Sequence, residues 1–168
     1  MRRLLRLLLS GAHFDLGFFT QARQQRIEGN AGRALFDAVY ERWSQLPSAE
    51  RPRLYAFGES LGSYGGEAAF SGEFDMANRL SGAVFTGPPN FNEHFNAFLK
   101  HRYPGSTEID PRFREGRTVR FTLDPRTPAE PVDQLWEGSR VLYMVHPSDA
   151  ITWWSPDLIL NRPDWLKE

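Results

Sequence analysis

Ser60 stands between two glycines in the run Gly58-Glu59-Ser60-Leu61-Gly62, after a short apolar segment and before small residues that suit a helix. A serine in that setting can act as a nucleophile if a strand turns sharply into a helix and the strained turn pushes the hydroxyl out over the sheet. Gly58 and Gly62 are then needed because the two backbones pass too close for side chains. The first N–H groups of the following helix have no intrahelical acceptor and point at any anion forming there. The backbone N–H of Leu61 is thereby a candidate oxyanion-hole donor. The five-residue pattern also arises by chance, so its weight comes from its strand, helix, strand surroundings. The plain alternative is a glycine-rich turn with an incidental serine.

A serine nucleophile needs an acid and a base, which in this arrangement follow it in the order acid, then histidine. Asp149 lies three residues beyond the strand-like run 140–146 and is the candidate acid; its competing role is that of a turn former. The base is missing from its expected place. The four histidines are His13, His94, His101 and His146, and none follows Asp149. His146 could serve only by swinging back across its own turn, and surface or packing roles suit His94 and His101 better. No spacing matches a zinc site, so no metal or other cofactor is expected.

Elements must position these groups. Leu35, Val39, Trp43 and Leu46 recur at helical spacing over residues 29–46, and Pro47 ends that helix. Residues 53–57 read as a buried strand, 61–70 as a helix despite Gly65 and Gly66, and 82–87 as a strand closed by Pro88-Pro89. Residues 90–139 read as an excursion from the main sheet with a possible strand at 118–123. Residues 140–145 form the most strand-like run, and a short helix opens at Ser155-Pro156. This alternation specifies an α/β protein with a parallel sheet flanked by helices. Three clear strands are few for a complete domain, which reads as a cut sheet. Trp153 and Trp154, beside a strand end, read as core.

The 168 residues fit one domain, and a net charge of -1 gives no reason to expect nucleic acid. The basic residues are nearly all arginine, which follows coding composition more often than phosphate recognition. The absence of cysteine excludes disulfides and thiolate nucleophiles. The opening run Met-Arg-Arg-Leu-Leu-Arg-Leu-Leu-Leu-Ser is interrupted by Arg6 and lacks a clear cleavage site. An amphipathic first helix, or a remnant of something longer, is expected there rather than a signal peptide or membrane span. The compartment stays open.

The runs AGRALFDAVYERWSQLP, RPRLYAFGESLGSYGGEAAFSG, GAVFTGPPNFN, GRTVRF and RVLYMVHPSDAITWWSPDLILNRPDWL resemble a family of bacterial membrane-associated α/β-hydrolases. The resemblance spans residues 31–168 as a partial catalytic domain and is poor over 1–30. It implies a partial α/β-hydrolase fold truncated at both ends, with Ser60 as nucleophile and Asp149 as acid. It also implies a small-molecule or lipid-like acyl substrate, with membrane association only through segments not found here. The early strand and glycine-rich loop that would donate the second oxyanion N–H are expected to be missing, as is the tail carrying the histidine. Two functions follow: a serine hydrolase incomplete in this chain, or a non-catalytic binding module on a degenerate hydrolase scaffold.

Overall fold

The computed structural model describes residues 5–9, 21–126, 135–136, 138 and 140–166. A five-stranded sheet forms its centre: β1 (Leu5–Leu9), β2 (Leu54–Glu59), β3 (Gly82–Thr86), β4 (Val119–Thr122) and β5 (Arg140–Met144). The strands lie in the order β1-β2-β3-β5-β4, and every pairing is parallel. The helices are α1 (Gln21–Ser44), α2 (Leu61–Glu67), α3 (Glu73–Arg79), α4 (Glu93–Lys100) and α5 (Ala150–Trp153), with three short 3-10 turns. No helix among the described residues is long and apolar enough to cross a membrane.

Two expectations need correction. The opening apolar run is a strand, not a helix: residues 5–9 pair in register with 54–58 of β2. Five residues of mostly leucine satisfy a parallel edge as well as a helix turn, and periodicity cannot separate the two in so short a run. A strand therefore does precede β2, and the sheet has five strands among the described residues rather than three. Nor is the described part of the stretch 90–139 an excursion. It contains α4 and β4, and β4 forms an edge of the same sheet beside β5. The chain leaves β3, passes through α4 to the far edge, and returns so that β5 fills the gap between β3 and β4.

The helix read over 29–46 is α1, which starts earlier and ends at Ser44, and it buries only part of the expected stripe. Phe36 is buried, with Val39, Tyr40 and Trp43 packed against the core, whereas Leu35 and Leu46 are exposed. Gly65 owes its place to this helix. A Cβ on Gly32 would stand 2.0 Å from the Gly65 carbonyl oxygen, so α1 and α2 cross backbone to backbone. Gly32→Ala should therefore lower unfolding free energy by about 3 kcal/mol through overpacking. Gly29→Ala, where the nearest atoms are 3.4 Å away, should be neutral or slightly stabilising. Denaturant unfolding of the two variants checks the contrast.

On the sheet's other reach, Phe95, Phe98, Phe121 and Tyr143 form an aromatic cluster that ties α4 to β4 and β5, with Phe121 and Tyr143 stacked at 5.4 Å. Trp153 packs against this core while Trp154 is half exposed, so only one of the tryptophan pair fits the core expectation.

Candidate active site

Ser60 follows the last residue of β2 and caps the first turn of α2, with φ 52° and ψ -123°. A serine with positive φ is strained by roughly 1–3 kcal/mol, and such strain persists only where its surroundings enforce it. The enforcing contacts are visible. The Ser60 N–H donates to the Thr86 carbonyl at 2.9 Å, extending the ladder between β2 and β3 by one residue. Its carbonyl accepts from the Ser63 N–H at 2.8 Å and from the Ser63 hydroxyl at 2.6 Å. Gly58 permits the turn, since a Cβ there would lie 2.3 Å from the Gly62 carbonyl oxygen. Leu61 opens α2, and by helix geometry its N–H lacks an intrahelical partner.

Asp149 sits in the loop after β5 and caps α5, its Oδ1 accepting from the Ile151 N–H at 2.9 Å. Its Oδ2 lies 3.3 Å from where a Cβ on Gly87 would stand, so Gly87, at φ 51°, leaves the space this carboxylate occupies. One oxygen is held by backbone and the other is turned to the loop after β3. Ser60, Asp149 and His146 line one pocket of about 300 Å³ at the carboxyl ends of the strands, with Met144, Val145, Leu123 and Ile151 as apolar wall. Ligands in open parallel sheets bind at this end.

His146 is not presented as a base. Its Nδ1 accepts from the Ser148 N–H at 3.3 Å, with the Ser148 hydroxyl at 2.9 Å. A neutral ring held this way carries its proton on Nε2. A triad base needs the reverse, with Nδ1–H donating to the acid and Nε2 free. The other two described histidines are held by backbone carbonyls, His94 partly buried and His101 exposed at the surface. His94 Nε2–H donates to the Phe70 carbonyl at 2.8 Å and its ring stacks on Phe98. His101 Nδ1–H donates to the Ala97 carbonyl at 2.8 Å. His13 lies outside the described residues.

Behind the elbow is a buried polar network that sequence reasoning missed. The Glu67 carboxylate, at the end of α2, accepts from the Tyr143 hydroxyl at 2.7 Å and from the N–H groups of His94 and Phe95 at 3.2 and 3.4 Å. It thus caps α4 from another helix. The Asn92 amide donates to the Ser63 hydroxyl at 3.0 Å, and that hydroxyl donates to the Ser60 carbonyl. Burial pushes the Glu67 carboxyl above its usual range, against the opposing effect of hydrogen bonds from Tyr143 and Asn92. Burial and the neighbouring Glu67 push the Tyr143 phenol well up. A lone carboxylate within the small, apolar run 61–70 was the available signal; its partner Tyr143, 76 residues away, was not readable.

Comparison with known proteins places the chain. Residues 15–168 match the model of an alpha/beta-hydrolase family. No curated protein and no solved structure matches.

Proposed function

The chain belongs to the alpha/beta-hydrolase family, and from that premise we propose that it carries the nucleophile and acid of a serine hydrolase acting on an ester or related acyl substrate, small or lipid-like. The observation that carries the reading is the Ser60 backbone: a non-glycine residue held at positive φ between β2 and α2, over a pocket that it shares with Asp149. Strain of this kind has no structural use in a turn that glycine could fill.

In this mechanism Ser60 Oγ attacks the acyl carbonyl as a general base takes its proton. The Leu61 N–H, at the positive end of α2, stabilises the tetrahedral oxyanion. Collapse expels the alcohol, which takes up the proton, and water attacks the acyl-enzyme in the same way to release the acid. Asp149 orients and stabilises the base as it becomes cationic. The base itself, a histidine, is supplied from outside the described residues, because Ser148 holds His146 in the wrong tautomer. Membrane attachment and a bacterial setting belong to the resemblance and remain part of this proposal.

The absence of an imidazole aimed at Ser60 among the described residues favours a second reading, a binding module that keeps the scaffold without the chemistry. Fluorophosphonate labelling, with the adduct located by mass spectrometry, separates the two. A Ser60 adduct that disappears in Ser60→Ala supports the hydrolase. Absence of an adduct from folded protein, even when imidazole is added in place of the base, supports the binding module. Asp149→Asn should keep the α5 cap, because asparagine caps as well as aspartate, and so should slow labelling assisted by added imidazole without lowering stability by more than about 0.5 kcal/mol.

A further inference from the structure

Asn92 stands at the N-cap position of α4, yet its side chain caps nothing there. Glu67 takes that duty by accepting from the N–H groups of His94 and Phe95. Asparagine at an N-cap ordinarily gives its oxygen to the helix. Here the side chain is fully buried, and its Oδ1 has no hydrogen-bond partner among the described residues. A bare buried acceptor is costly and calls for a reason. The amide nitrogen supplies one: Nδ2 donates to the hydroxyl oxygen of Ser63 at 3.0 Å and also hydrogen-bonds Glu67. Ser63 is fully buried as well. Chemistry fixes the direction of this chain. The Ser60 carbonyl can only accept, so the Ser63 hydroxyl gives it its single proton at 2.6 Å and must accept from Asn92. Flipping the amide would set acceptor against acceptor.

Helical serines often return their hydroxyl to a carbonyl one turn back, so the bond from Ser63 to Ser60 alone assigns no role. Asn92 sets this case apart, because a residue of another helix forgoes its own cap to fix that hydroxyl. What the chain holds is the Ser60–Leu61 peptide. A trans peptide is planar, with its C=O and N–H pointing opposite ways. The Ser60 carbonyl is drawn into α2 by the Ser63 N–H at 2.8 Å and the Ser63 hydroxyl. The Leu61 N–H is thereby aimed out of the helix, toward the carboxyl ends of the strands and the pocket that Ser60 lines. Without the hydroxyl, only the N–H groups of Ser63 and Tyr64 would hold a peptide whose first residue is strained at φ 52°. Hydrogen bonds on the carbonyl also polarise the peptide and strengthen its N–H as a donor. We propose that Asn92 and Ser63 are positioning residues that lock the Ser60–Leu61 peptide with its N–H turned to the pocket, so that the oxyanion donor is in place before the substrate arrives. Its consequence for catalysis rests on the hydrolase reading; the lock itself can be read without any chemistry at Ser60.

The test compares Ser63→Ala, Asn92→Leu and the two combined, each in the full chain. Urea midpoints read stability, a fluorophosphonate with added imidazole reads Ser60, and NMR relaxation dispersion reads the Leu61 amide. Each single variant strands a polar group and should lose stability. The double variant replaces both partners by apolar groups and should recover most of that loss. Labelling should nonetheless stay about fivefold slower than native in both variants that lack the Ser63 hydroxyl, the worth of one hydrogen bond. In those variants Leu61 should also show exchange on the microsecond-to-millisecond scale that the native chain lacks. Labelling that follows stability and recovers in the double variant overturns the proposal, as does a Leu61 amide equally quiet in every protein. If the double variant fails to fold, Ser63→Ala, which places a good helix former inside α2, carries the labelling and amide readouts. Native protein that never labels, with Leu61 exchange appearing in the variants, would overturn the hydrolase reading and leave the lock standing. Labelling at native speed in every variant would do the reverse.

Discussion

Glu67→Ala should destabilise the protein by about 3 kcal/mol or more, the largest effect expected of any single side-chain truncation near the site. The substitution leaves the Tyr143 hydroxyl and the N–H groups of His94 and Phe95 without their acceptor in a region closed to water. Each stranded buried group costs roughly 1–3 kcal/mol. It also removes the cap of α4 and one side of the network that ends on the Ser60 carbonyl. Glu67→Gln keeps the shape and an accepting oxygen, so it should cost far less, about 1 kcal/mol.

The two substitutions also differ in pH dependence. The folded protein raises the Glu67 pKa above the unfolded value of 4.5. Stability from this group is therefore fully present below the unfolded pKa and is lost as pH rises through the folded one. Glutamine has no proton to lose there. Measured as urea midpoints across a pH series, Glu67→Gln should gain on the native protein as pH rises. Other carboxylates cancel in the difference. A gap that widens with pH would show that the carboxylate is better stabilised folded than unfolded, contrary to the burial argument.

Gly58→Ala is the second large effect. The new methyl group would meet the Gly62 carbonyl oxygen at 2.3 Å and the Ser63 nitrogen at 2.7 Å, all backbone that cannot rotate aside. The strand must separate from α2, at about 3 kcal/mol or more, and Ser60 must leave its strained conformation. Ser60→Gly should behave in the opposite way. Glycine accepts φ 52° without strain, so the variant should be as stable as the native chain or more stable by about 1 kcal/mol, while losing the hydroxyl. Calorimetry of both variants checks the pair. A marked loss of stability in Ser60→Gly would mean that the turn is not strained.

Much of this was legible in the residues, for reasons that differ by element. β2, β3 and β5 are continuous apolar runs bounded by glycine or proline, so their assignment needed no tertiary information. The elbow was legible because its glycines answer a local steric demand. β1 was not, because five leucine-rich residues fit helix or strand equally and only the β2 edge decides between them. α4 was hidden because its stabilising cap is Glu67, from a distant turn of chain, rather than a capping residue of its own. The burial stripe of α1 was legible at Val39 and Trp43 but not at Phe36, because Leu35 is as apolar and only the position of α2 and its Gly65 selects the face. The position of Asp149 in the loop after β5 was legible from its place after a strand, whereas the tautomer of His146 depends on where Ser148 points.

In the proposed mechanism Ser60 is a nucleophile whose base is supplied from outside the described residues. Labelling by a fluorophosphonate with and without added imidazole tests it most directly, with the adduct located on Ser60 and Ser60→Ala as control. Slow labelling is expected, about 10²–10⁴-fold below a complete site, accelerating as imidazole takes the place of the base. Folded protein that never labels at Ser60, with or without imidazole, would contradict the nucleophile; fast labelling without imidazole, lost in His146→Ala, would show that His146 turns to serve as the base.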